Sequence, residues 1–270
     1  MNGIHPYFLY GTAWKEEETE RLVRLALDAG FRGIDTANQR KHYFEAGVGA
    51  AIAASNVPRE ELFLQTKFTY RDGQDHRLPY DPNAPVATQV QQSFATSLEH
   101  LQVSHIDSYV LHGPSRRRGL GDADREAWRA MEELHVAGKT RALGISNVAL
   151  DQLEELDAFA RVKPTFVQNR CYAATGWDHH VRAFCRAHGI VYQGFSLLTA
   201  NVRELRAAAF RDIVLRTRRT PAQVVFRFAL QVGMLPITGT TDAGHMREDL
   251  GAFDFELAQA DVDTIERLAL

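Results

Sequence analysis

Eight short strand-like segments recur along the chain, and a stretch of helical periodicity separates most successive pairs; this alternation constrains the fold more than any other feature. The segments are Tyr7 to Tyr10, Phe31 to Asp35, Leu62 to Lys67, Ile106 to His112, Thr140 to Ser146, Thr165 to Asn169, Ile190 to Ser196 and Met234 to Gly239. Between them Leu22, Leu25, Ala26 and Ala29 share one helical face, as do Leu150, Leu153, Leu156 and Phe159, and Val224, Val225, Phe228 and Val232. Thr220 before Pro221 reads as an N-cap with proline at the first helical position, and Gly30, Gly138 and Gly189 close helices just ahead of strands. Eight β-α units in 270 residues is the count of a (β/α)8 TIM barrel. A doubly wound sheet would show fewer strands and a glycine fingerprint after the first, and no GxGxxG follows any strand here. The expectation is an α/β chain, one TIM barrel domain over residues 1–270 with a short C-terminal extension.

Composition narrows the function. A net charge of −3 argues against a nucleic-acid surface or a polybasic membrane anchor, which leaves a small molecule as the partner. A monomer or weak homo-oligomer is expected, although no residue pattern in the sequence names the oligomeric state. Cys171 and Cys185 lie in no CxxC spacing and suggest no disulfide framework, so a reducing cytoplasm is expected. The start MNGIHPYFLY lacks a leader pattern, and no run is apolar enough to span a bilayer. His179 and His180 lack the companions of a metal site and read as surface, as do Arg116, Arg117 and Arg118 in a solvated loop.

The stretch from residue 30 to 52 reads as strand, polar crossing and helix, with Asp35 where the strand runs out and Lys41, His42 and Tyr43 in the crossing. In a parallel barrel the carboxyl ends of the strands form the mouth of the site. Lys67 and His112 end two further strands, so Asp35, Lys67, His112 and Tyr43 are expected to converge. An adjacent lysine cation would favour phenolate and lower the pKa of Tyr43 from its usual value near ~10. Asp35 would position Lys67, and His112 could hydrogen-bond a substrate oxygen. The set suits carbonyl reduction. Two longer connections, Thr69 to Pro85 and Gly113 to Asp124, also follow strands and are candidate substrate loops.

GTAW at 11–14, GFRGIDTA at 30–37, the strands ending in Lys67 and His112, LGISN at 143–147, VQN at 167–169, PAQVVFRFALQ at 221–231 and FDFEL at 253–257 together resemble the aldo-keto reductase family, in order and over nearly the whole chain. That resemblance implies an NAD(P)H-dependent oxidoreductase with a Tyr, Lys, Asp and His tetrad and no metal, acting on a small carbonyl substrate. Asp35, Lys67 and His112 take their tetrad places directly. The family's tyrosine follows its Asp by five residues, a position held here by Arg40. Counting back from Val48-Gly49 brings His42 or Tyr43 to the expected place, and Tyr43 is chosen because only a phenol keeps the donor chemistry. The displacement leaves open a second reading, a nicotinamide-cofactor-binding regulatory protein with weak or lost catalysis.

By the same likeness Ser146, Asn147 and Gln168 hold the nicotinamide carboxamide, Phe195 stacks on the ring, Ser196 and Leu198 lie near the pyrophosphate, and Gly11 and Thr12 lie beneath the ring. Thr238, Gly239, Thr240, His245, Glu248 and Asp249 fall in the adenosine site. There Gly239 stands where the family has lysine and His245 where it has arginine. NADP(H) is therefore expected with an eroded preference, NAD(H) also binding, the 2′-phosphate adding at most ~2 kcal/mol. The chain stops soon after FDFEL, without the extended substrate loop of many members, so an open pocket accepting small activated aldehydes is expected, and the short N-terminus is expected not to complete a bottom-sealing hairpin.

Overall fold

Every expected strand forms, pairs in parallel with its sequence neighbours, and the last returns to the first, so the sheet closes into an eight-stranded barrel. The computed structural model describes residues 7–269; the N-terminal hairpin expectation falls mainly on residues 1–6 and lies outside them. In chain order the elements are β1 (Leu9–Gly11), α1 (Thr19–Ala29), β2 (Gly33–Asp35), α2 (Glu45–Ala53), β3 (Phe63–Phe68), α3 (Val86–Leu101), β4 (Ile106–Leu111), α4 (Asp122–Val136) and β5 (Thr140–Ser146). They continue with α5 (Leu150–Phe159), β6 (Phe166–Arg170), α6 (His179–Ala187), β7 (Val191–Phe195), α7 (Ala208–Thr217), α8 (Pro221–Gln231), β8 (Met234–Thr238), α9 (Ala243–Leu250) and α10 (Gln259–Glu266). The fold is the expected single-domain TIM barrel. Strand ends differ from the sequence reading by one or two residues, because apolar residues such as Phe31 and Leu62 are buried beside the barrel without joining its ladder.

The local signals act as read. Thr220 accepts from the Gln223 backbone N–H while the Gln223 side chain reaches back to the Thr220 N–H, closing a capping box around Pro221. Gly30 closes α1 at φ +115°, a conformation that costs a side-chain-bearing residue. The apolar faces of the helices bury against the outer face of the sheet in one continuous cluster that includes Leu22, Leu153, Val224 and Phe228. Burying each such side chain stabilises the fold by roughly 1.5–3 kcal/mol. Inside the barrel a smaller cluster of Leu9, Phe63, Phe166, Leu235 and Ile237 fills the lower layer. No helix among the described residues is long and apolar enough to cross a membrane.

One contact between helices bears on the mouth of the barrel. A Cβ on Gly49 would lie 2.1 Å from the His100 carbonyl oxygen, so only glycine lets α2 sit this close to α3. Glu45, the first residue of α2, is buried and accepts hydrogen bonds from Thr66 of β3 and Ser97 of α3, with His100 Nδ1 3.3 Å away. Those bonds pin the start of α2, and with it the preceding Tyr43, against β3.

Candidate active site

The parallel register brings the predicted residues to one face. Gly11 pairs with Asp35 across β1 and β2, Lys67 with Val110 across β3 and β4, and Ser146 with Gln168 across β5 and β6. Side chains at the carboxyl ends of different strands therefore meet over the barrel, the placement expected of a TIM barrel site.

At the centre Lys67 Nζ donates to both oxygens of Asp35 at 2.7 Å and to the Thr36 carbonyl at 2.8 Å, with the lysine wholly buried. Burial pushes the Lys67 pKa down, and the charge and hydrogen bonds of Asp35 oppose that shift. The Tyr43 ring sits with its centroid 5.2 Å from Lys67 Nζ and 5.9 Å from the His112 ring, packed edge-on. His112 Nδ1 meets Thr69 Oγ1 at 2.6 Å. Burial and the Lys67 cation hold His112 down to about 3, so its imidazole is neutral at physiological pH.

The phenol does not behave as the sequence suggested. Burial pushes the Tyr43 pKa up, and the nearby Asp35 carboxylate adds to the rise. An ammonium has three protons. Here all three go to Asp35 and Thr36, so Lys67 has no proton left for a hydrogen bond to the phenol.

His42, the alternative donor, faces elsewhere. Its ring packs against Trp14 with centroids 3.8 Å apart and planes tilted by 38°, and its Nδ1 meets Gln39 Oε1 at 2.9 Å. Tyr43 lines the central cleft and His42 does not.

That cleft, about 740 Å³, runs from Tyr43 and His112 across the mouth to α9. This is the size of a small-molecule or cofactor site. Gly11, Asp35, Ser146, Asn147, Gln168 and Phe195 line the inner part, and Ser196 and Leu198 the wall after β7. Thr238, Gly239, Thr240, His245, Glu248 and Asp249 line the far end. Thr12 does not reach the cleft: it is fully buried, and its hydroxyl donates to the Asp35 carbonyl at 3.0 Å. Asn147 and Ser196, each just past a strand, hold φ of 52° and 58°, left-handed values uncommon for side-chain-bearing residues. Strain of this kind concentrates at functional sites. The Ser146 hydroxyl donates to the Gln168 carbonyl at 2.7 Å, and Asn147 Nδ2 donates to the His112 carbonyl at 2.8 Å. Burial pushes Asp249 up to about 6 while the Thr238 hydroxyl, donating at 2.7 Å, opposes it.

Sequence reasoning missed a polar layer inside the barrel. Gln65 of β3 donates to Asp35 at 2.7 Å and to Gln193 of β7 at 2.8 Å, and Gln168 donates to the same two groups at 3.0 and 2.9 Å. Gln193 returns a bond to Gln65 at 3.0 Å. All three amides are buried. The signal was present: Gln65 and Gln193 each stand two residues before an expected site residue, Lys67 and Phe195, and so face inward with it. Lys15 was also missed. It lines the cleft and donates to the Gly239 carbonyl at 2.7 Å. Arg116, Arg117 and Arg118 do not line the cleft and are exposed, as are His179 and His180; Cys171 and Cys185 are buried. Among the described residues no group of three or more His, Cys, Asp or Glu is placed to hold a metal ion.

Residues 8–270 match the aldo/keto reductase family. The chain is 33% identical to the glyoxal reductase of Bacillus subtilis over 99% of its own length and 90% of that protein, and 30% identical to methylglyoxal reductase DkgA of Yersinia pestis over 93% and 84%. Among solved structures, an aldo/keto reductase from Brucella melitensis superposes with a TM-score of 0.84 at 29% identity, covering 97% of this chain and 95% of that one.

Proposed function

The chain belongs to the aldo/keto reductase family, and on that premise we propose that its cleft reduces a small aldehyde or ketone to the alcohol, with a nicotinamide dinucleotide as hydride source and Tyr43 as proton donor. The observation that carries this reading is the convergence of Tyr43, Lys67, Asp35 and His112 at one end of the cleft.

The donor set fits the cofactor. The amides of Asn147 and Gln168 match a carboxamide, the Phe195 ring offers an apolar face, and the hydroxyls of Thr240 and Thr241 with Lys15 offer donors to phosphate oxygens at the far end. Glu248 and Asp249 line that same end and can accept from adenosine hydroxyl or amino groups. When bound, the reduced nicotinamide supplies two electrons and one hydrogen to the carbonyl carbon.

The protein supplies the rest. Tyr43, protonated because burial raises its pKa, gives its hydroxyl proton to the carbonyl oxygen as negative charge develops there. Lys67, fixed by Asp35, presents a cation near the resulting phenolate, which regains its proton from water. In the tautomer of neutral His112 that carries its proton on Nε2, the Thr69 hydroxyl donates to Nδ1 and Nε2–H is free to hydrogen-bond the substrate oxygen.

The relatives named for glyoxal and methylglyoxal reduction make small α-oxoaldehydes the first substrates to try. Oxidation of NADPH in the presence of glyoxal or methylglyoxal tests the reading. Turnover that depends on both the aldehyde and Tyr43 supports it, and binding of the cofactor without turnover on any aldehyde or ketone of a broad panel contradicts it.

A further inference from the structure

The loop that displaces Tyr43 also presents His42 to the loop after β1. Trp14, in that second loop, lines the cleft while 70% exposed, with its backbone at φ 62°. A bulky residue keeps a left-handed φ only where its surroundings over-determine it. His42 supplies that hold in two ways. Its carbonyl accepts from the Trp14 N–H at 2.7 Å, and its imidazole packs against the indole with centroids 3.8 Å apart.

His42 is braced in turn. Gln39 is buried and donates through Nε2 to the Gly73 carbonyl at 2.6 Å, which leaves its Oε1 to face His42 Nδ1 at 2.9 Å. An amide oxygen only accepts, so this contact is a hydrogen bond in the tautomer of His42 that carries its proton on Nδ1. The Gln39 carbonyl also accepts from the backbone N–H groups of His42 and Tyr43, at 3.0 and 2.9 Å. Glycine at position 73 keeps the approach open, because a Cβ there would lie 2.7 Å from Thr69 Cγ2. Contacts therefore run without a break from the loop after β3 through Gln39 and His42 to Trp14, and the Gln39 carbonyl ties this brace to Tyr43 itself.

We infer that His42 is a positioning residue for substrate selectivity: it fixes the Trp14 indole as a rigid wall of the cleft and so favours a carbonyl compound with a flat aromatic body over a small aliphatic one. The inference rests on the proposed carbonyl reduction and names the part of the chain that selects its substrate. An indole already held in place loses little freedom when a ring lies against it, and the two flat faces bury apolar area together. Without His42 the substrate itself must order the indole, at a cost equivalent to about three- to tenfold in affinity. Methylglyoxal has no such face to lay on the indole, so its turnover does not depend on the hold.

Steady-state kinetics with benzaldehyde and methylglyoxal at saturating NADPH, on the wild type, His42→Ala, His42→Phe and Trp14→Ala, test this. His42→Ala is expected to raise KM for benzaldehyde about three- to tenfold, with its kcat and the methylglyoxal kinetics unchanged. His42→Phe keeps a flat ring against the indole and should restore KM. In the Trp14→Ala background His42→Ala should add nothing, because the two side chains act as one unit. The other two tryptophans, Trp128 and Trp177, are fully buried, so acrylamide quenching of the fluorescence reads Trp14, and it should increase in His42→Ala. Quenching and KM that both match the wild type in His42→Ala, beside normal methylglyoxal turnover, overturn the inference and leave the functional reading standing. An equal loss on both aldehydes marks a merely structural role and overturns it too. A wild type that reduces neither aldehyde overturns the functional reading itself, and the inference with it.

Discussion

Lys67 Nζ reaches both carboxylate oxygens of Asp35 at 2.7 Å, and its third proton goes to the Thr36 carbonyl at 2.8 Å. The lysine is therefore a fixed charge beneath Tyr43 rather than a proton donor to it. Lys67→Met would remove that charge and leave the Asp35 carboxylate buried with only amide partners from Gln65 and Gln168. Breaking a buried pair in this way costs about 3–5 kcal/mol of stability. Turnover is expected to fall by orders of magnitude and the denaturant midpoint to drop with it; unchanged turnover in a stably folded Lys67→Met would show that the phenol does not need the cation.

The pH dependence follows from the shifts at Tyr43 and His112. Burial raises the phenol, so the donor form persists from acid pH to well above neutrality and is lost only as pH rises through the raised pKa. His112 is pulled down to about 3, so it does not gain a proton until pH falls toward that value. The kcat for carbonyl reduction should accordingly stay flat between pH 5 and 9, whereas alcohol oxidation, which needs phenolate, should climb with pH. A limb in the reductive profile near ~6.5 would mean that His112 titrates as an exposed imidazole.

Gln193 accepts hydrogen bonds from both Gln65 and Gln168. Gln193→Leu leaves two buried amides short of an acceptor, at a cost of about 1–3 kcal/mol of stability. Freed from that tether, Gln168 should hold its amide less well toward the cleft, raising KM for the cofactor more than it lowers kcat. Thermal unfolding and steady-state kinetics on the one variant check both effects, and a stable variant with wild-type KM would show that the layer does not orient Gln168.

Thr69 and His112 offer a narrower comparison. The 2.6 Å contact fixes the imidazole ring, and Thr69→Val removes the hydroxyl while keeping the shape. A loss of about tenfold in kcat with an unchanged cofactor Kd is expected, since only the substrate-facing proton is affected. Measured kinetics that match the wild type would show that packing alone orients His112.

The barrel was legible because its periodicities are local: inward and outward alternation marks strands, and a run such as Leu22, Leu25, Ala26 and Ala29 marks a helix face. Asp35, Lys67, His112, Ser146 and Gln168 were legible for a related reason, since a residue near a strand's carboxyl end has its position over the barrel fixed by topology. Tyr43 was less so, because its loop is longer than the family pattern and only the anchoring of Glu45 and Gly49 shows where it settles. Lys15 was not legible, because its ammonium meets the Gly239 carbonyl across the barrel mouth, a contact between residues 224 positions apart in the sequence. Thr12 stands at a strand end and yet points away from the cleft, a choice made by one residue of register.

The central claim is that Tyr43, despite its displaced place in the sequence, is the proton donor. Turnover of methylglyoxal by Tyr43→Phe and His42→Ala, each paired with a cofactor Kd, tests it most directly. The geometry predicts that Tyr43→Phe loses turnover by orders of magnitude with cofactor binding intact, while His42→Ala keeps most of its activity. Near-normal turnover in Tyr43→Phe together with a collapse in His42→Ala would contradict the account and move the donor to His42.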